Sequence, residues 1–237
     1  MHTEELIYCD GPLTCRGFIA YQSDGREFKP CVLIAHDWTG RSEAMCQKAM
    51  QLAQEGYVGF AIDVYGDGKL AQTTEEKKAW LYPFKENRLL VAQRMLMAYH
   101  SAAALPMVNR KQIAAIGYCF GGMCVLDLAR TGIDIKGVVS FHGLLNAPPE
   151  SKSDSINAKI LVLHGYEDAF VPPPQIYQFA EEMSSKKADW QFHTYGLIHH
   201  SFTNPLADDA ELGLHYNKAA DQRSWQSMKQ FLQELFC

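Results

Sequence analysis

Residues 114–122 read AAIGYCFGG, a hydrophobic run that leads into glycines with one cysteine between them. The apolar start of this stretch is typical of a buried strand, and the glycines indicate a sharp turn into the next element. Gly117, Cys119 and Gly121 match the pattern glycine–x–nucleophile–x–glycine of a strand-to-helix turn. Cys119 is therefore a candidate nucleophile, and the alternative is a small thiol packed at a glycine-lined bend.

The glycines of this turn have a steric reason. Such a turn holds its middle residue in a strained backbone conformation, and neighbours with a Cβ atom would collide with the adjoining strand and helix. The helix that follows directs its free N–H groups and the positive end of its dipole at the turn. Both features favour a thiolate at Cys119 and a developing negative charge on a substrate oxygen.

Short hydrophobic runs alternate with helix-like segments along the rest of the chain. The strand-like runs lie at residues 4–8, 13–21, 31–35, 58–64, 113–117, 136–143, 160–165 and 190–196. The helix-like segments lie at residues 42–56, 75–104, 123–130, 173–188 and 219–236. This order predicts an α/β fold with a mostly parallel central sheet, helices on both of its faces and an antiparallel N-terminal edge.

The composition is that of an ordinary globular protein, with 47% hydrophobic and 21% charged residues. No linker, repeat or low-complexity segment interrupts the sequence, so residues 1–237 are expected to form a single domain. The net charge of -5 argues against a general nucleic-acid-binding protein. Because neither a signal peptide nor a run of roughly 18 apolar residues is present, we expect a cytoplasmic protein without membrane contact, as a monomer or weak homodimer.

Candidate partners for Cys119 follow the late strands, because ligand sites gather at the carboxyl ends of parallel strands. Asp168 is placed where a carboxylate could orient a histidine, and Glu167 competes with it for this role. His199 and His200 follow the last strand, and only one of two neighbours is expected to face the thiol. A base is needed because a free thiol, with a pKa of about 8.5, is ionised to only a few per cent at neutral pH.

Four further histidines, at strand ends or along strands, are expected to be structural: His36, His142, His164 and His193. The seven cysteines show no zinc-type spacing, and they are expected to be thiols in a reducing cytosol. The histidine pair also lacks a carboxylate at zinc-motif spacing. We therefore expect no metal and no organic cofactor.

Two backbone N–H groups are expected to form an oxyanion hole. One belongs to Phe120, directly after the candidate nucleophile, and the other to the loop after residues 31–35, where we choose Trp38. Asp37 in this loop is unusual, because a carboxylate near Cys119 would raise the pKa of the thiol. It either points away from Cys119 or restrains the resting thiol, and capping of the helix near Ser42 is its alternative role.

At these residues the sequence resembles the dienelactone hydrolase (carboxymethylenebutenolidase) family of α/β-hydrolases. The resemblance spans nearly the whole chain and rests on AHDWTG, GYVGFAIDVYG, AIGYCFGG, VVSFHG, LVLHGYED, HHSFTNP and ADQRSWQSMKQFLQELF. A cysteine in the nucleophile position is its distinguishing mark, since most α/β-hydrolases have serine there. The resemblance implies an α/β-hydrolase fold and a small ester or lactone as the substrate.

The resemblance also implies roles for individual residues. Cys119 corresponds to the nucleophile, Asp168 to the triad acid and His200 to the base, since the family's histidine stands in the motif HSF. Asp37 takes the place of an acid that contacts the thiol and is proposed to keep it inactive until substrate binds. One departure concerns an arginine for a substrate carboxylate, because HHSFTNP has Asn204 where it is expected. Neither Arg88 nor Arg94 can be assigned to the pocket.

The sequence thus predicts an enzyme that hydrolyses a small ester or lactone through a covalent intermediate on Cys119. Trp38, Tyr118, Phe141 and Phe202 are candidates for an apolar pocket, with packing in the core as their alternative. One alternative function is a general carboxylesterase without lactone preference. The other is a non-catalytic protein that uses the same fold for ligand binding or redox sensing.

Overall fold

The hydrophobic runs form strands in the computed structural model of the protein, which describes residues 1–25, 27–149 and 155–237. The strands in these ranges are β1 (His2–Asp10), β2 (Leu13–Tyr21), β3 (Lys29–Ala35), β4 (Val58–Ala61), β5 (Val108–Tyr118), β6 (Gly137–Phe141), β7 (Lys159–Gly165), β8 (Trp190–Tyr195), β9 (Asp208–Asp209) and β10 (Leu214–His215). The helices are α1 (Glu43–Gln54), α2 (Thr74–Glu86), α3 (Arg88–Ala103), α4 (Phe120–Arg130), α5 (Pro173–Ser185) and α6 (Lys218–Phe236).

Within those ranges, eight strands form one sheet in the order β1-β2-β4-β3-β5-β6-β7-β8. β1 pairs antiparallel with β2, and β2 pairs antiparallel with β4. Every further pair up to β8 is parallel. The predicted mostly parallel sheet with an antiparallel N-terminal edge is confirmed, so the loops after β3, β5, β7 and β8 meet at one edge.

Both faces of the sheet are covered by helices, as the alternating order predicted. Leu52 of α1 and Met228 of α6 pack with Ile34 on one face. Met95 of α3 packs with Leu33 on the other face, together with residues of α4 and α5. Leu33 and Ile34 are neighbours in β3 and are both fully buried. Burial on both faces explains why this strand is a continuous hydrophobic run instead of an alternating one.

The helix-like region predicted at residues 75–104 is helical but is divided into two helices, α2 and α3, which meet at Asn87. The backbone of Asn87 leaves the helical region with φ −123° and ψ 89°, and its side chain accepts a hydrogen bond from the Leu90 N–H at 3.2 Å. An asparagine in this position caps the start of the new helix. The apolar spacing continues across the break, so periodicity alone did not indicate it.

The strands from residue 2 to residue 195 share one sheet, and α6 packs onto it. On this basis we propose that residues 1–237 form a single domain. Among the described helices, none has the length and apolar character that a membrane span requires.

A buried ion network ties α3, α4 and α5 together behind the turn that carries Cys119. Arg88 of α3 donates to both carboxylate oxygens of Asp127 in α4, at 2.6 and 2.7 Å. Arg130 of α4 makes a bidentate contact with Glu182 of α5, at 2.9 and 2.7 Å, and also reaches Asp127 at 3.2 Å. Asp127 thus lies between two buried guanidinium groups.

We expect Asp127→Asn to lower the free energy of unfolding by about 3–5 kcal/mol, because two buried cations lose their shared counter-charge. Urea unfolding followed by circular dichroism measures this change. Glu234→Gln is the control, since the Lys159–Glu234 pair lies at the surface with its side chains 39% and 50% exposed. Such exposed pairs contribute about 1 kcal/mol or less. Similar losses in both variants would contradict the prediction.

Candidate active site

Cys119 lies in a strained turn between β5, which ends at Tyr118, and α4, which begins at Phe120. Its backbone has φ 54° and ψ −112°, a conformation that few non-glycine residues adopt. A Cβ atom on Gly117 would collide with the carbonyl oxygen of Gly121. One on Gly121 would collide with the carbonyl oxygen of Ala35 at the end of β3. The glycines are therefore required by close backbone contacts on both sides of the cysteine.

A chain of hydrogen bonds connects Cys119 to the two other candidate catalytic residues. The Cys119 Sγ lies 3.1 Å from Nε2 of His200, and Nδ1 of His200 lies 2.7 Å from Oδ2 of Asp168. Asp168 follows β7 and His200 follows β8, so the two side chains meet at the ends of neighbouring strands and His200 reaches Cys119. His200 is 81 residues from Cys119 in the sequence, and Asp168 is 32 residues from His200. Only the sheet topology brings the three together.

The alternative residues do not share this geometry. Glu167 is exposed, whereas Asp168 is 3% exposed, and the second oxygen of Asp168 accepts a hydrogen bond from the Phe170 N–H at 2.9 Å. His199 packs against the ring of His215, with 5.0 Å between the ring centres.

Two aromatic rings pack against the His200 imidazole, in addition to the hydrogen bonds at its two nitrogens. Phe170 packs against it on one side and His142 on another, with ring centres 4.9 and 5.1 Å away. His142 in turn is fixed by a 2.8 Å hydrogen bond between its Nε2 and the Thr203 hydroxyl. These contacts limit rotation of the imidazole and keep its Nε2 directed at Cys119.

Burial by itself would lower the pKa of the His200 imidazole, but the charges of Cys119 and Asp168 outweigh it and raise the pKa to about 10. At neutral pH the ring then carries both protons, one shared with Asp168 and one with Cys119. The imidazole is thus placed to hold a proton between Asp168 and Cys119.

Two N–H groups are available beside the thiol. Phe120 is the first residue of α4, and Trp38 lies in the loop after β3. Both residues line a cavity that also contains Cys119. Within the described part of the chain, neither backbone N–H donates a hydrogen bond to another protein group. Their position at a helix N-terminus and in the loop after β3 is the arrangement expected of an oxyanion hole.

Asp37 shares a polar cavity with Cys119, but its carboxylate is held by its own loop. Its Oδ1 accepts a hydrogen bond from the Thr39 N–H at 2.8 Å. No hydrogen bond joins Asp37 to Cys119 among the residues that the structure describes. Contact between this acid and the thiol therefore stays a prediction.

The cavity at Cys119 has two lobes that share Trp38, Cys119, Ser201, Leu212 and Leu214. The apolar lobe measures about 230 Å³ and the polar lobe about 250 Å³. The further residues of the apolar lobe are Lys78, Leu81, Lys85, Phe120, Met123, Leu144, Phe170 and His200. The further residues of the polar lobe are Asp37, Thr74, Lys77, Asn204, Leu206, Ala207, Asp208 and Asp209.

Of the four aromatic residues expected in the pocket, only Trp38 lines it. Tyr118, Phe141 and Phe202 are 3%, 1% and 0% exposed and belong to the core under α1 and α6. Tyr118 and Phe141 stack on each other with ring centres 4.6 Å apart. Tyr118 belongs to β5, and its side chain points to the opposite face of the sheet from the cavity because side chains alternate along a strand.

The sequence analysis did not predict several cavity residues, because these residues belong to a helix and not to the loops that follow the strands. Leu81, Lys78 and Lys85 reach the apolar lobe from α2, whose direction depends on the break at Asn87. Arg88 is buried in the ion network, and Arg94 pairs with Asp10. Neither arginine lines the cavity, where the cationic side chains are those of lysines.

The described residues contain no group of three or more His, Cys, Asp or Glu side chains with the geometry of a metal site.

Comparisons with known proteins agree with the resemblance in the sequence. A model of the dienelactone hydrolase family matches residues 16–236. A dienelactone hydrolase-like promiscuous phosphotriesterase from metagenomic libraries superimposes with a TM-score of 0.95, at 30% identity, over 100% of this chain and 99% of its own. A putative dienelactone hydrolase from Klebsiella pneumoniae, 20% identical with a TM-score of 0.80 over 98% of each chain, shares the fold. The expected α/β-hydrolase fold is confirmed.

Curated sequences point the same way. A putative carboxymethylenebutenolidase of Synechocystis is 24% identical over 220 residues, which are 86% of this chain and 85% of that protein. An uncharacterized protein of Caenorhabditis elegans is 37% identical over 149 residues, which are 60% of this chain and 92% of that protein.

Proposed function

Since this chain belongs to the dienelactone hydrolase family and is a hydrolase of esters or lactones, we propose that it works by covalent catalysis from Cys119. Asp168 and His200 complete the triad. The observation that carries this proposal is the chain of hydrogen bonds from Asp168 through His200 to Cys119, at 2.7 and 3.1 Å, beside a cavity.

The reaction begins when the Cys119 thiolate attacks the carbonyl carbon of the ester or lactone. The carbonyl π electrons move to the oxygen, where the N–H groups of Trp38 and Phe120 stabilise the negative charge. When the negatively charged oxygen re-forms the carbonyl double bond, the C–O bond to the leaving oxygen breaks and His200 donates the Nε2 proton to that oxygen. The product is a thioester on Cys119 together with an alcohol, or a tethered hydroxyl group when the substrate is a lactone.

In the hydrolysis of the thioester His200 first acts as a base, whereas in the preceding step it donated a proton. Its neutral Nε2 takes a proton from water, and the resulting hydroxide oxygen attacks the thioester carbon. The C–S bond breaks, the acid leaves, and the thiolate again faces the imidazolium. Asp168 keeps the Nδ1 proton in place through both halves and stabilises the charged ring.

The cavity favours a small substrate with one apolar and one polar side. Each lobe is smaller than the about 300–1,000 Å³ of a pocket for a drug-sized ligand. Lys78 and Lys85 lie at the apolar lobe and are the candidates for contact with a substrate carboxylate, in place of an arginine. We propose no metal and no organic cofactor for this reaction, and a monomer or weak homodimer as its working form.

A general carboxylesterase without lactone preference is the second candidate, and one observation favours it. Beside its two lysines the apolar lobe presents Leu81, Met123, Leu144 and Phe170, which offer an uncharged chain apolar contacts. A neutral ester could place its alkyl chain against these side chains.

A substrate panel tests the proposed function and separates the two candidates. We expect chromogenic acetate and butyrate esters to react at least about tenfold faster than decanoate, because a long chain exceeds the small lobe. Steady-state rates for these esters, a dienelactone and a phosphotriester give the comparison. A preference for the dienelactone over the short esters supports lactone hydrolysis. Equal rates for the dienelactone and the short esters support the carboxylesterase. Absence of turnover for every compound would contradict both and favour a binding or redox role.

A further inference from the structure

His36 directly follows β3 and is completely buried, yet the proposed reaction does not use it. Its ring lies near the rings of Tyr65 and Phe120, with centres 4.7 and 6.0 Å away. Both of its nitrogens have partners within the described structure. It therefore differs from His164, which is also buried but has no hydrogen-bond partner at either nitrogen among the described residues.

The partners of His36 determine which nitrogen carries the proton. The Val64 backbone N–H, which can only donate, lies 3.1 Å from Nε2, so Nε2 is the acceptor. The proton is then on Nδ1, which donates to the Asp37 carbonyl oxygen at 2.6 Å. Burial lowers the pKa of His36, which keeps the ring neutral and preserves this tautomer.

The peptide bond between Asp37 and Trp38 transmits this contact to the active site. In a trans peptide the carbonyl oxygen and the N–H point in opposite directions, and the described chain contains no cis peptide. Because His36 holds the Asp37 oxygen toward the buried side, the Trp38 N–H faces away from it. The next carbonyl, that of Trp38, is held by the Tyr65 hydroxyl at 3.1 Å. The Trp38 N–H is thus fixed through its own peptide group, which contains the Asp37 carbonyl, and through the next peptide group, which contains the Trp38 carbonyl.

We infer that His36 is a positioning residue for the oxyanion hole. By holding the Asp37 carbonyl, His36 aims the Trp38 N–H at the substrate oxygen. This inference rests on the proposed cysteine mechanism. It assigns His36 a role in transition-state stabilisation without contact to the substrate or to the thiol. A structural role in the fold alone would affect stability but leave the rate of the folded enzyme unchanged.

Three substitutions separate these roles. His36→Phe keeps a ring of similar size but removes the donor to Asp37. His36→Leu also removes this donor and has a smaller side chain. His36→Gln offers an N–H donor and a carbonyl acceptor on one amide, which can replace both ring nitrogens. Tyr8→Phe is the matched control, since the buried Tyr8 hydroxyl contacts the backbone N–H and carbonyl of Asp63, next to Val64, but not the Trp38 loop.

For folded His36→Phe or His36→Leu, we expect kcat for an acetate ester to fall about 10²–10³-fold, the usual effect of losing one oxyanion donor, with KM little changed. His36→Gln should restore most of the rate, and Tyr8→Phe should keep the wild-type kcat. Alkylation of Cys119 by iodoacetamide, followed by peptide mass spectrometry, should keep its wild-type rate in all variants. The reaction of the thiolate with an alkyl halide forms no oxyanion.

A kcat within about threefold of wild type in a folded His36→Phe or His36→Leu would overturn the inference. So would a parallel loss of Cys119 alkylation, because the triad and not the oxyanion hole would then be disturbed. Should one of the two variants fail to fold, the other carries the test. Ester hydrolysis that persists in Cys119→Ala would instead overturn the proposed function itself.

Discussion

Cys119→Ala should lower kcat/KM for an acetate ester by at least about 10⁴-fold, because no other group can form the thioester. The Cys119 side chain is small and half-buried, and its hydrogen bond goes to His200, so the fold should persist. Steady-state hydrolysis and circular dichroism on the same preparation measure both quantities. Residual activity would come from the oxyanion hole and from binding alone.

Cys124→Ala is the matched control for this variant. Cys124 is a fully buried thiol on α4, the helix that follows Cys119, and it is not among the residues that line the cavity. We expect Cys124→Ala to retain the wild-type rate. Iodoacetamide should inactivate the wild-type enzyme by modifying Cys119, identified by mass spectrometry because Cys9 and Cys237 are also exposed. Full activity of Cys119→Ala would show that Cys119 is not the nucleophile.

Asp168→Asn should lower kcat by about 10³–10⁴-fold, since an amide can stabilise the wrong tautomer of His200 and cannot balance its positive charge. The wild-type carboxylate is held by the Phe170 N–H at 2.9 Å and by His200 at 2.7 Å, so the substituted side chain should stay in place. The loss should therefore appear in kcat and not in the unfolding temperature. The measurement is hydrolysis of the same ester at saturating concentration.

Glu167→Gln is the control for the second variant, because it makes the same chemical change one residue earlier on an exposed side chain. Its kcat should equal that of the wild type. If Glu167→Gln lost activity and Asp168→Asn did not, the assignment of the triad acid would be wrong by one position.

Much of the candidate site could be predicted because its signals are local. Gly117 is required by a contact with the carbonyl oxygen of Gly121, four residues later, although Gly121 itself is required by Ala35 in β3. The order of strands and helices follows from hydrophobic runs and their lengths. Family resemblance was needed to choose His200 over His199, since both histidines stand in the same loop.

Other features could not be predicted, because they depend on contacts between distant segments. Tyr118 and Phe141 stand beside candidate catalytic positions, yet the alternation of their strands turns both into the core. Continuous apolar spacing hid the division of residues 75–104 at Asn87. It therefore also hid the position of α2 at the apolar lobe.

The sequence by itself determined the fold class, the strained turn at Cys119 and the chain order of the proposed nucleophile, acid and base, since these depend on steric and hydrophobic rules that act over a few residues. The tertiary structure alone decided which acid meets His200, which aromatic rings reach the cavity, and that the His36 ring holds the Asp37 carbonyl. Those outcomes depend on how the strands pair and on which face each side chain occupies, and both are settled when the whole core packs.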